Sequence, residues 1–247
     1  MSSPLGGDPP RLPVMQLQPS FERFSEYARA ARVVPVWTEL LFDVDTAVTA
    51  YAKLAEPPFG FLLESVVGGE QWARYSFMGT RPSAAWRLRD GEVSWWTPEG
   101  GWTDVDTTDP LGDLDARLRA RTPADVPGLP RFRGGAVGYF GYDVVRQIER
   151  LPSGPAPDLD VPDGLFVFTD LVLAIDNLKG RAMAIASVDV EEGLSEEELR
   201  ARYRAAGGRI EGLVRRLHEG TPPEALSPGN RNVILTFWFP PANTQRV

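Results

Sequence analysis

The sequence predicts an α+β fold of antiparallel β-sheets packed with a few helices, and three observations predict it. Short apolar or alternating runs bounded by glycine recur along the chain. Asp90-Gly91 stands between two of them as a hairpin turn whose glycine accepts positive φ. Helix-period segments interrupt the strands only now and then, instead of alternating with them as in a parallel β-helix-β protein.

In chain order, the first stretch is rich in Pro, Gly and Ser with little apolar periodicity, so residues 1–32 are expected to form a flexible arm that buries too little to offset the entropy of ordering it. Pro35-Val-Trp-Thr-Glu-Leu-Leu-Phe42 reads as extended. Asp43 or Asp45 is then placed to cap a helix with Val48, Tyr51, Ala52 and Ala55 on one face, stopped by Pro57-Pro58. Strands are predicted at Gly60–Val66, Ala73–Gly79, Ala84–Asp90 and Glu92–Thr97. Asp109-Pro110 opens a second helix, Asp as N-cap and Pro in the first turn, with Leu111, Leu114 and Leu118 as its buried stripe.

Gly134–Gly141 is a further strand, and Leu165–Asp176 and Ala182–Val190 read as a pair around the Asn177-Leu-Lys-Gly180 turn. Ser195-Glu-Glu-Glu198 is a capping box, and Leu199, Tyr203, Ala206, Ile210, Leu213 and Leu217 line one face of the helix behind it. The body of the fold is therefore expected over 33–219, followed by an atypical tail over 220–247. Ser227–Val247 carries Arg231 and Arg246 but no acidic residue, and Val233-Ile-Leu-Thr-Phe-Trp-Phe239 is uncharged and apolar. Such a segment suits a terminal core strand, or a truncation or shifted reading frame.

The 247 residues are 43% hydrophobic and 24% charged, enough for one large core or two smaller ones. A formal charge of −8 argues against a nucleic-acid or anionic-membrane binder, both of which need a basic footprint. Cysteine is absent, which removes disulfides, thiolate nucleophiles and Cys-built zinc sites. The amino terminus has neither the basic start nor the apolar run of a secretory signal, and no stretch reaches membrane-spanning length, so a cytoplasmic location is expected.

Few residues suggest chemistry alone. His218, the single histidine, lies near a helix end where a cationic side chain is favoured; a catalytic base would also need a cleft and partners. Gly134, Gly135, Gly138 and Gly141 match neither a phosphate loop nor a dinucleotide fingerprint; they mark close backbone approach or a ligand-facing strand. Trp86, Trp95, Trp96 and Trp102 read as core packing more than as a base-stacking platform, given the acidic charge. In the Phe61–Val66 run, alternation sets Leu63 and Ser65 on one face and Glu64 on the other. The Ser65 hydroxyl on an otherwise apolar face needs a partner, either neighbouring backbone or a ligand. Arg74 and Arg81 suit surface ion pairs or carboxylate clamps.

Together, Pro35-Val-Trp37, Leu62-Leu-Glu-Ser65, Arg74-Tyr-Ser-Phe-Met-Gly79, the run from Gly134 to Asp143 and the run from Phe168 to Lys179 closely resemble anthranilate synthase component I, in its N-terminal half. The resemblance covers roughly residues 33–217 in order. It implies a lyase family that converts chorismate to anthranilate with ammonia from a glutamine amidotransferase subunit, component II, under feedback inhibition by L-tryptophan. It assigns Ser65, with Leu63 and Glu64 beside it, to the tryptophan site. Family members run to about twice this length, and their chorismate and Mg²⁺ residues lie in the other half. No catalytic or metal-ligating residue is therefore expected in this chain, which is expected to be a fragment inactive on its own. The resemblance also leaves room for aminodeoxychorismate synthase component I, and the residues alone for a non-catalytic amino-acid-binding or protein-interaction module.

Overall fold

The runs Leu171–Asp176 and Arg181–Asp189 bury side chains on both faces and so need cover on two sides, and the chain meets this with two sheets that share one seam. The structure, a computed structural model, describes residues 15–64, 74–152, 160–221 and 234–236. Its helices are α1 (Phe21–Ala28), α2 (Ala47–Leu54), α3 (Pro110–Arg119) and α4 (Glu196–Glu219), with a 3-10 turn at Tyr142–Gln147. Its strands are β1 (Val33–Leu41), β2 (Gly60–Leu63), β3 (Tyr75–Thr80), β4 (Ala84–Arg89), β5 (Glu92–Thr97), β6 (Gly101–Val105), β7 (Gly135–Phe140), β8 (Gly164–Thr169), β9 (Leu171–Asp176), β10 (Arg181–Asp189) and β11 (Ile234–Thr236). The first sheet has the order β1-β10-β9-β3-β2-β11 and the second β6-β5-β4-β8-β7. The α+β, antiparallel class holds. The exception is β11, which lies parallel to β2 with Ile234 opposite Gly60, so the apolar tail segment supplies an edge strand.

The first sheet is covered on one side by α1, α2 and α4. Leu173 and Ala184 are fully buried there against Phe24, Ala206 and Ile210; burying a large aliphatic side chain contributes on the order of 2 kcal/mol. Gly207 of α4 makes room for Leu17, whose Cδ1 lies 2.7 Å from where a Cβ would stand. The second sheet packs α3 against Trp86, Leu88, Val93 and Phe168, all buried. Its opposite face turns Ala85, Val137 and Val167 toward Phe61 of the first sheet.

Five expectations are corrected. The arm does not reach residue 32. Ser20 caps α1, Phe24 is fully buried, and Gln18 exchanges two 2.7 Å backbone hydrogen bonds with Trp37 at the β1 edge. An amphipathic helix of only eight residues is too short to stand out from Pro-rich surroundings. The α2 cap is Thr46, in a reciprocal box with Thr49; Asp45 instead pairs with Lys53 at 2.8 Å. The buried α2 stripe is Ala47, Ala50, Tyr51 and Leu54, leaving Val48 half exposed. In α3, Leu118 at the last turn is 40% exposed, and burial rests on Pro110 and Leu114.

The last correction concerns topology. The run Leu165–Asp176 is not one strand: it breaks at Asp170, with β8 in the second sheet and β9 in the first. The Thr169 hydroxyl donates to the Leu171 carbonyl at 3.0 Å, and the Asp170 carbonyl accepts from the Ser187 N–H at 2.7 Å. Arg209 of α4 holds the Asp170 carboxylate at 2.7 Å. The break is hidden in the sequence because both halves are buried and apolar. The predicted β9–β10 hairpin around residues 177–180 and the β4–β5 hairpin are both present, the latter with positive φ at Asp90 and Gly91. No helix among the described residues is long and apolar enough to cross a membrane.

Candidate functional site

The Leu62-Leu63-Glu64 block lies at the end of β2, where the two sheets meet. Leu63 pairs with Phe77 of β3. Strand alternation sends Leu62 to the helix-covered core and Phe61 and Leu63 to the seam between the sheets. That seam is aromatic. Phe132 stands edge-on to Phe61 at 6.1 Å and to Phe77 at 5.4 Å, and Phe59 stands edge-on to Trp96 at 5.1 Å. Gly79 lets the Phe61 ring through, since a Cβ there would lie 2.5 Å from its Cε1. Around Phe59, Phe61 and Thr169 the seam leaves no room for a water molecule. Leu63 and Glu64 are half-buried at its end. Ser65 lies outside the described residues.

A polar latch holds the start of β3. Arg74 donates from Nε to both carboxylate oxygens of Asp176, at 3.0 and 3.1 Å, and from Nη2 to Oδ2 at 2.6 Å. Asp176 also accepts from the N–H groups of Leu178 and Lys179. Burial works to raise the Asp176 carboxyl, but the Arg74 bonds and these two N–H groups outweigh it and hold it below its ordinary range. Burial pushes the Tyr75 phenol up, and the Asp176 charge adds to this. Asn177 donates from Nδ2 to Ser76 Oγ at 3.1 Å, completing the crossing of β3 and β9.

Arg74 is thus a structural carboxylate clamp. Arg81 is another: it is bidentate on Glu56, which also accepts from Arg216 of α4 at 2.7 Å. His218 is exposed in the last turn of α4. The four tryptophans serve the second sheet: Trp86 is fully buried, and Trp86 and Trp95 both donate their indole N–H to Asp113 of α3, at 3.1 and 2.9 Å. The glycines mark close approach: a Cβ at Gly138 would overlap the Leu165 carbonyl oxygen.

Hollows among the described residues also lie away from the seam. An open groove of about 910 Å³ runs between α1 and the start of α4, past Glu22, Arg29, Glu191 and Arg200. A smaller cavity of about 200 Å³ is bounded by Arg121, Arg131 and Arg133. The sequence reading singled out neither; Arg131-Phe-Arg133 is the one local signal, a pair of cations on alternate positions around an aromatic anchor.

Two largely antiparallel sheets that meet along an aromatic seam, with helices on their outer sides, define the class of fold. Similarity makes the assignment particular. The chain is 41% identical over 204 residues to anthranilate synthase component 1 of Pseudomonas putida, covering 80% of this chain and 40% of that protein. It is 43% identical over 194 residues to the Pseudomonas aeruginosa protein, covering 77% and 38%, and 35% identical over 213 residues to that of Synechocystis sp., covering 85% and 41%. The chain is similar to anthranilate synthase component 1 over about four-fifths of its own length and spans about two-fifths of the length of the curated relatives it matches. A crystal structure of anthranilate synthase component I from Streptococcus pneumoniae superposes with a TM-score of 0.47 at 22% identity, covering 76% of this chain and 38% of that one. No protein-family model matches.

Proposed function

We propose that this chain is the N-terminal regulatory part of an anthranilate synthase large subunit, in which Ser65, Leu63 and Glu64 receive the feedback inhibitor L-tryptophan. The observation that carries this reading is the 41–43% identity to anthranilate synthase component 1 over about four-fifths of the chain. The position of Leu63 supports it. An amino-acid effector presents an indole, a carboxylate and an ammonium, which call for an apolar wall with a few polar groups at its mouth. Leu63 and Phe77 offer the wall, and Glu64 follows it half-buried at the end of the strand.

Conversion of chorismate, with ammonia from the glutamine amidotransferase subunit, belongs to the intact enzyme. Mg²⁺ supplies charge neutralisation there. Among the described residues no three His, Cys, Asp or Glu side chains are grouped to hold a metal, so these residues do not fit the ion and it is assigned to the remainder of the enzyme. Tryptophan acts by favouring one of two arrangements of the whole subunit, which requires both its parts. Calorimetric titration of the chain with L-tryptophan tests the site. Saturable heat that is lost in Ser65→Phe and not reproduced by L-alanine is expected; identical isotherms for wild type and Ser65→Phe contradict the assignment.

A further inference from the structure

Three guanidinium-bearing residues converge where the start of β1, the chain leaving α3 and the start of β7 meet. Arg121, Arg131 and Arg133 bound a cavity of about 200 Å³ whose remaining walls include Gly134, Gly135 and Ser187. Phe132, between the two later arginines, is pinned into the aromatic seam by Phe61 and Phe77, so the local backbone is held from behind. The Arg133 carbonyl accepts from Ser187 Oγ at 2.7 Å, which fixes it from the side. Gly134 has φ +140, and a Cβ on it would stand 2.9 Å from Ser187 Oγ and 3.0 Å from the Thr169 carbonyl oxygen; Gly135 follows with φ +119. Both conformations disfavour side chains, so this wall stays bare backbone.

The charges do not balance. Arg121, mostly buried, is paired with Asp189 at 3.0 Å. Among the described residues Arg131 and Arg133 have no carboxylate partner, although the chain as a whole carries a charge of −8. Positive charge gathered in a partly enclosed hollow is focused by its low-dielectric walls, and the guanidinium fork matches two oxygens of a carboxylate or phosphate.

We propose that this cavity is a binding site for a compact oxyanion, a phosphate or carboxylate group, held by Arg131 and Arg133 with Arg121 at the back. The site is separate from the tryptophan reading and does not involve Ser65.

The test titrates inorganic phosphate and, separately, malonate into the 247-residue chain at constant ionic strength set by chloride, read by calorimetry and by the thermal midpoint. Saturable binding of at least one is expected, with the apparent Kd raised about tenfold or more in the Arg131→Ala, Arg133→Ala double variant. Response to phosphate alone assigns a phosphoryl group, to malonate alone a carboxylate, to both the shared oxyanion chemistry. Circular dichroism in chloride checks that the double variant folds. Should it not, Arg131→Glu, at an exposed position, replaces it and is expected to abolish binding. Equal affinity in wild type and variant, or no response to either anion beyond chloride, overturns the proposal.

Discussion

Arg74 Nη2 lies 2.6 Å from Asp176 Oδ2, and this pair joins the first residues of β3 to the last residue of β9. The Asp176 side chain is 4% exposed while that of Arg74 is one-third exposed. The carboxylate is therefore the committed member, fastened also by two backbone N–H groups, and the guanidinium is its solvent-side cover.

Replacing Asp176 with Ala removes the acceptor for both N–H groups and for Arg74, and should destabilise the chain by about 2 kcal/mol. Urea unfolding followed by circular dichroism measures it. Arg74→Lys keeps the charge but not the fork, and should give a smaller loss.

The same pair sets an acid limit. The Asp176 and Glu56 carboxyls are both held below their ordinary values, burial being outweighed by Arg74 in one case and by Arg81 and Arg216 in the other. A carboxyl depressed in the folded state adds stability that is present above its unfolded pKa of about 4 and is lost as pH falls through the folded value. The stability gap between wild type and an Asp176→Asn, Glu56→Gln variant should thus be widest near neutral pH and close progressively as pH falls below about 4. A gap unchanged at low pH would contradict it.

Asp113 accepts two indole N–H groups at once, tying α3 to β4 and β5. Asp113→Ala orphans the N–H of the fully buried Trp86 and should cost about 2 kcal/mol, with a shift in tryptophan emission. Asp113→Asn, which keeps an acceptor oxygen, should cost about half of that.

Two glycines should respond oppositely to alanine. At Gly138 the new Cβ would overlap the Leu165 carbonyl and stand 2.6 Å from Phe166 Cα, prising β7 from β8, at a cost on the order of 3 kcal/mol. At Gly208, inside α4, nothing lies within 4 Å, and alanine should stabilise by about 0.5–1 kcal/mol through helix propensity. Thermal unfolding of both variants checks the pair.

These relationships mark what is readable in the sequence. Hairpins with their own turn chemistry, such as Asp90-Gly91, and capped helices such as Ser195–Glu198, are legible because the signal is local. The break at Asp170 is not, because a strand leaving one sheet for another keeps the same apolar pattern on both sides. The α2 cap is hidden for a related reason: Asp43, Asp45 and Thr46 all suit an N-cap, and only the burial of Ala47 and Ala50 decides among them. At the candidate site, alternation within Phe61–Leu63 puts Leu63 on the seam. The convergence of Arg121 with Arg131 and Arg133 needs the tertiary meeting of three segments and has no counterpart in spacing.

The most direct test of the regulatory reading grafts residues 33–219 in place of the matching segment of Pseudomonas putida anthranilate synthase component 1 and measures anthranilate formation from chorismate with and without L-tryptophan. Inhibition in the graft, lost in its Ser65→Phe variant while turnover persists, is the predicted result. Inhibition that survives Ser65→Phe undiminished would contradict it.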